Sequence, residues 1–257
     1  MKQRILLWGG ILLACLCGLC LLWAAGPLGR PAKIEQAVQQ TGNTVLAAES
    51  APVQVSPEQP EEEENYQSPV DFTALQAANP DIYAWLYIPG TEINYPLLQR
   101  EQEDHYYLDH SYTGQADKNG ALFTEHRYNR RDFSDPVTVV YGHHMKSGRM
   151  FGNLQATYSS EEALRQYREV VVYLPDQELR YRVFAAVPFS SDHILYYYNF
   201  TREASYQSFL DEVYSVRALG ASFDPEVRAT PEDRLLILST CLSGNSKKRF
   251  LVLAKLI

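Results

Sequence analysis

Apolar and polar positions fall along this chain in three regimes. The first is residues 5–25, an apolar run with no charged residue, preceded by Lys2 and Arg4. About 20 apolar residues cross a bilayer core as a helix, and Trp8 and Trp23 stand near the two ends, as interfacial aromatics do. The run exceeds the roughly 7–15 apolar residues of a cleaved leader's core, which favours a retained transmembrane anchor over a signal peptide. Residues 1–4 then form a short cytoplasmic segment, although Arg30 and Lys33 beyond the run weaken that orientation bias.

The second regime, residues 26–70, is predominantly polar. Six prolines punctuate it, residues 61–64 are all Glu, and only residues 34–40 have the spacing of a short helix. Too few large apolar residues occur here to build a core, so the stretch is expected to be an extracytoplasmic linker.

The third regime, residues 71–257, alternates short apolar runs with turn residues and has the length of one domain. A short helix over 71–78 leads into Asn79-Pro80-Asp81. Strands are expected over 84–88, 93–98, 121–124 and 137–141, with Pro96 placing the second at a sheet edge. Ser159 and Glu162 have capping-box spacing and open a helix to about Tyr167. Residues 169–174 and 178–187 read as a hairpin through Pro175-Asp176. Phe209, Leu210, Val213, Tyr214 and Val216 have helical spacing within 201–219, with Gly220 as a stop signal. Two last runs, 235–238 and 250–254, flank a polar turn containing Gly244. About eight short strands with two or three helices make the fold mainly β, a barrel or sandwich rather than a doubly wound sheet.

Charge and cysteine usage narrow the function. The net charge is −8, which gives no basic surface for nucleic acid. Of four Cys, residues 15, 17 and 20 lie inside the expected span. Cys241 is then the only Cys of the exported portion, where Cys residues usually pair, so it is either an intermolecular partner or a reactive thiol. The count excludes a Cys-cluster metal site.

Taken alone, a Cys beside apolar residues is most often a small buried hydrophobe. Cys241, however, ends a strand, and Arg249 opens the next one eight residues later, so thiol and guanidinium can meet across the turn. Of six His, only His143 and His144 end an expected strand. An imidazole beside a thiol raises its reactive fraction or serves as a general acid. Arg249 stays protonated and can serve only as a donor to developing negative charge.

These motifs resemble those of the sortases, most closely class B. Ile237-Leu238-Ser239-Thr240-Cys241 is similar to the family's Cys signature, Arg249-Phe250-Leu251-Val252-Leu253-Ala254 to its Arg strand, and Tyr141-Gly142-His143 to its His motif. Met145-Lys146 and Met150-Phe151 follow as in class B. Asn79-Pro80-Asp81, Trp85, Ile88-Pro89-Gly90, Tyr95-Pro96 and Asp104-His105-Tyr106-Tyr107-Leu108 match its amino-terminal region. The resemblance implies a sortase-type closed β-barrel over 71–257, with class B helices before the barrel and in the 201–219 insertion. It implies a cysteine transpeptidase without cofactor or metal, in which Cys241 is the nucleophile, His143 the acid and base, and Arg249 the oxyanion and substrate donor. Leu108, Ser239 and Thr240 are expected beside the substrate. The substrate implied is the C-terminal sorting signal of a secreted protein, cut after Thr and held as a thioester. The acceptor implied is an amine of the peptidoglycan precursor, at the outer face of a Gram-positive-type membrane; pilin polymerisation is the alternative.

Other classes fit less well. An L,D-transpeptidase needs a Ser-His-Gly-Cys core that Ser239-Thr240-Cys241 lacks, and a papain-like hydrolase has Cys before His and on a helix. A non-catalytic anchored module stays open on fold grounds. His144 also stays open beside His143, since adjacent strand residues face opposite ways.

Overall fold

The computed structural model describes residues 29–50 and 66–257. The expected anchor at 5–25 and the acidic run at 61–64 lie outside them; among the described residues no helix is long and apolar enough to cross a membrane.

The expected linker contains a 22-residue helix, α1 (Gly29–Ser50). Pro31 sits in its first turn, where a missing N–H breaks no helical bond. Ile34, Thr41 and Val45 are buried along one side, with Ala37 and Val38 packed beside them. That stripe is narrow and half made of small residues, which is why its pattern reads as only a short helix. Polar ties complete the docking: Asn94 donates to the Gly42 carbonyl at 3.0 Å, and Glu49 accepts from Tyr173 at 3.1 Å and pairs with Arg180 at 3.2 Å. Helix α2 (Phe72–Ala78), capped by Asp71 on the Ala74 N–H, packs beside it.

The strands follow as β1 (Ile82–Tyr87), β2 (Asn94–Leu98), β3 (Leu122–Phe123), β4 (Val137–Tyr141), β5 (Glu169–Tyr173), β6 (Glu178–Phe189), β7 (Ser222–Phe223), β8 (Leu235–Leu242) and β9 (Asn245–Leu256). Their order is β5-β1-β2-β3-β4-β8-β9-β6, and β5 pairs again with β6. That last pairing closes an eight-stranded barrel, with β7 as a two-residue addition beside β6. The closed barrel leaves no long open edge. Pro96 shows how the edge expectation for β2 is half right. Strand β3 pairs only with Leu97 and Leu98, so β2 is open on that side up to Pro96 and interior beyond it.

Three apolar clusters explain why several strands lack a clean alternation. Tyr83, Leu86, Leu97, Val140, Leu238 and Phe250 belong to the barrel interior. Ile82, Trp85 and Tyr87 point outward beneath α1 and α2, so every residue of β1 is buried. On another outer face, Val137, Val139, Leu235, Ile237, Leu251 and Leu253 are covered by helix α6 (Glu203–Ser215) through Tyr206, Phe209, Leu210 and Val213.

Three short helices connect the strands: α3 (Leu154–Thr157), α4 (Glu161–Gln166) and α5 (Ile194–Tyr197). The cap of α4 is Ser160, which accepts from the Ala163 N–H at 3.2 Å, one residue later than the capping-box reading. Helix α6 stops at Ser215 rather than running to Gly220. Val216 is extended, and Gly220, at φ +86°, turns the chain toward β7.

Candidate active site

Strand β8 carries the thiol on its outer side. Leu236 and Leu238 point into the barrel, whereas Leu235 and Ile237 point outward under α6. Period-two alternation therefore puts Ser239 and Cys241 outside and Thr240 inside. Thr240 is buried, and its hydroxyl finds no hydrogen-bond partner among the described residues. The structure thus separates two residues that were expected together: Ser239 faces the site and Thr240 faces the core.

The β8–β9 pairing sets Arg249 directly across from Cys241, and an Arg249 Nη1–H donates to Sγ at 3.5 Å. The hairpin keeps this register through Leu235–Lys255, Leu236–Ala254 and Ile237–Leu253, so the meeting of the two heads follows from strand pairing rather than from a flexible loop. Cys241 is half-buried, open to a substrate on one side.

Strand β4 lies parallel to β8 on its other side, with Tyr141 paired to Ser239. The Gly142 N–H extends the ladder by donating to the Ser239 carbonyl at 3.1 Å. One residue further, alternation returns His143 to the face of Tyr141, two residues past the Tyr141–Ser239 pair. Gly142 has to be small: a Cβ there would stand 2.4 Å from Leu122 and 2.6 Å from Phe151. His144 goes the other way. It bridges to Met150, and its Nδ1 is buried without a hydrogen-bond partner among the described residues.

His143 is oriented by the chain before β3. Its Nε2 lies 2.6 Å from the Leu108 carbonyl oxygen, at the end of the 3-10 turn Tyr106–Leu108. A carbonyl only accepts, so Nε2 carries the hydrogen and Nδ1 is the basic nitrogen of the neutral ring. Gly120, at φ +60°, permits this approach; its absent Cβ would be 2.4 Å from the Tyr107 oxygen and 3.1 Å from the His143 ring.

Beside Arg249 and Leu108 lies a cavity of about 170 Å³. Leu108, Tyr141, Ile194, Ser239, Glu125 and Arg249 line it, so two of the three residues expected near a substrate, Leu108 and Ser239, are on its walls. Burial pushes the Tyr141 phenol well above its usual range, with the Glu125 carboxylate adding to the effect, so Tyr141 stays neutral. Glu125 and Ile194 were not singled out in the sequence, and Tyr141 entered only as part of the His motif. The available signal was a carboxylate just after an apolar strand, in Phe123-Thr124-Glu125, where a buried acid needs partners. Among the described residues no cluster of His, Cys, Asp and Glu could hold a metal ion.

Comparison with known proteins supplies the family. The family model described as "Sortase domain" matches residues 86–257. The chain belongs to the sortase family. Its likeness is to class B members: it is 32% identical over 196 residues to Sortase B of Listeria monocytogenes, an alignment covering 71% of this chain and 72% of that one. A Staphylococcus aureus sortase B–substrate complex superposes with a TM-score of 0.65 at 25% identity, covering 86% of this chain and 94% of the other. A sortase B complexed with triglycine superposes with a TM-score of 0.66 at 26% identity, covering 88% and 96%. Sortases are cysteine transpeptidases, a chemistry that the paired thiol and guanidinium suit.

The contact between Arg249 and sulfur carries an expected result. Removing one oxyanion donor in other enzymes costs about 10²–10³ in turnover, and Arg249→Ala should fall by roughly a hundredfold or more. Arg249→Lys keeps the charge but replaces a planar fork with one ammonium, and should lose much of the activity too. Steady-state kinetics on one peptide, with circular dichroism as a folding control, decides this. If both variants stay within a few-fold of the wild type, Arg249 has no part in catalysis.

Proposed function

We propose that this sortase cleaves the C-terminal sorting signal of a secreted protein after Thr and transfers the protein to an amine of the cell-wall peptidoglycan precursor. The observation that carries the reading is the triple placement of Cys241 near the end of β8, Arg249 paired across from it, and His143 two residues beyond the end of β4, whose last residue pairs with Ser239. The Cys241 thiolate attacks the carbonyl carbon of Thr, and Arg249 donates to the oxygen that becomes negative. Collapse of the tetrahedral intermediate breaks the C–N bond, and His143 gives its proton to the leaving amine. The thioester is then attacked by the incoming amine, His143 takes a proton from it, and the thiolate leaves. The cavity beside Arg249 holds the signal, with Leu108 and Ser239 among its contacts. A relative solved with its substrate and another solved with triglycine support a peptide donor and an amine acceptor.

On this reading residues 5–25 anchor the chain in the membrane, with residues 1–4 on the cytoplasmic side and the barrel on the outer face of a Gram-positive-type cell.

The experiment is a transfer assay. The donor is a labelled peptide copied from the C-terminal region of an exported protein of the same cell, spanning a Thr-containing pentapeptide before an apolar span and a basic tail. The acceptor is triglycine. The expected product is the peptide cut after Thr and joined to triglycine, seen by mass spectrometry. Cleavage at another bond, or no acyl transfer, would overturn the reading.

A further inference from the structure

Besides Arg249 and Ser239, the cavity has a polar wall built around Glu125. There the Glu125 side chain is almost fully buried, at 3% exposure, and two imidazoles close on it. His193 Nε2 lies 2.7 Å from one carboxylate oxygen, and His105 Nε2 lies 3.2 Å from the other. The two His differ in setting: the His105 side chain is 71% exposed, whereas that of His193 is 33% exposed and packs against the Tyr128 ring at 4.8 Å between centroids.

His193 makes a second bond that fixes its tautomer. Its Nδ1 accepts the backbone N–H of Tyr196 at 3.1 Å, capping α5. A backbone N–H only donates, so the ring hydrogen sits on Nε2 and is donated to Glu125. One neutral imidazole therefore joins two things: a buried carboxylate fixed just after β3, and the first turn of α5. Ser191, Asp192 and Ile194 beside it form one wall of the cavity. Ile194, Leu195 and Tyr198 also pack into the cluster under α6, but the wall residues Ser191 and Asp192 precede that packing. Ile194 and Tyr198 are buried, but Tyr196 and Tyr197 are 80% and 68% exposed.

We infer that His193 is a positioning residue for substrate binding: by bridging Glu125 to the cap of α5 it fixes the Ser191–Ile194 wall of the cavity. The inference rests on the reading of that cavity as the sorting-signal site. His193 lines the cavity with Glu125 and Ser191, whereas Cys241 and His143 are not among its lining residues. Its loss widens or loosens the wall, so the peptide binds less well once bound geometry is no longer pre-formed. The chemical step, set by Cys241, Arg249 and His143, is left as it was. Asn at this position is a useful contrast. It can still cap α5, since Asn is a strong N-cap residue, but it is too short to reach Glu125.

The test is kinetics on the donor peptide and triglycine described above, with the rate of Cys241 alkylation by iodoacetamide measured in parallel. His193→Ala should raise KM for the peptide about tenfold while kcat stays within about threefold, the pattern of lost binding rather than lost chemistry. His193→Asn should raise KM by at least about threefold. Alkylation should match the wild type in both, because the thiol's surroundings are intact. Should His193→Ala fail to fold, the Asn variant carries the test alone. An unchanged KM in His193→Asn shows that the bridge to Glu125 does not position the wall and overturns the inference. A fall in kcat at constant KM, or an alkylation rate that drops with activity, places His193 in the chemistry or in general stability and also overturns it. A wild type that does not process the peptide, although its Cys241 alkylates, overturns the reading of the cavity and the inference with it. That outcome is distinct from one in which the wild type is active and the variants equal it.

Discussion

Cys241→Ala abolishes thioester formation and lowers peptide cleavage at least about 10⁴-fold, while the barrel stays folded. Removing the nucleophile of a well-studied serine hydrolase costs on the order of 10⁶ in turnover, the residue of activity coming from binding and oxyanion donors. The fold survives for a local reason. Cys241 is half-buried at the outer end of β8, so the change removes a single sulfur next to solvent. Surface-side substitutions of this kind usually stay within about 0.5 kcal/mol. The backbone pairing of Cys241 with Arg249 needs no side chain. Intact mass after mixing with the donor peptide reads the acyl-enzyme directly, and a thermal melt reads the fold. Cleavage near the wild-type rate by a folded Ala variant would remove Cys241 from the mechanism.

The second large effect separates two adjacent residues. His143→Ala should lose roughly 10²–10⁴ in turnover, the usual contribution of a positioned acid and base. His144→Ala should stay within about tenfold of the wild type. The geometry gives the reason. His143 follows Gly142 on the face that carries Tyr141, Ser239 and Cys241, and its Nε2–H is held by the Leu108 carbonyl. His144 points to the opposite face and bridges to Met150. Its loss perturbs the 145–151 loop but no group of the site. Single-turnover acylation of each variant, monitored by quenched mass spectrometry, measures the two losses. The reverse order would transfer the acid–base role to His144; equal and severe losses in folded variants would defeat the distinction drawn from the strand faces.

Both results depend on how the chain folds back on itself, and the sequence determined only part of that. Cys241 and Arg249 were legible as partners because they flank one turn, and a hairpin's register is set by its turn and its alternation. The helices over 71–78 and 159–167, the 169–187 hairpin and the strand before His143 were legible for the same local reason. The one-turn helices Leu154–Thr157 and Ile194–Tyr197 were too short to carry a periodic pattern. The class of fold was legible from the count and spacing of strands.

The tertiary structure decided the rest, because it depends on pairings between distant segments. Strand β4 reaches β8 by parallel pairing, which needs a long crossover and leaves no turn signature at either strand. His143 therefore comes to the strand that carries Cys241 only once the barrel is formed. Helices α1 and α2 cover the outer face of β1 while the barrel core takes its inner face, erasing the alternation that would mark it. Helix α1 gained its stability from docking against α2 and β2, not from its own narrow apolar stripe, so its pattern read as linker. Thr240 and Ser239 look alike in sequence, and only the burial of one strand face in the core divides them. His105, Glu125 and His193 lie far apart along the chain. They form one cluster because a buried carboxylate requires donors, and the fold brings two imidazoles to it.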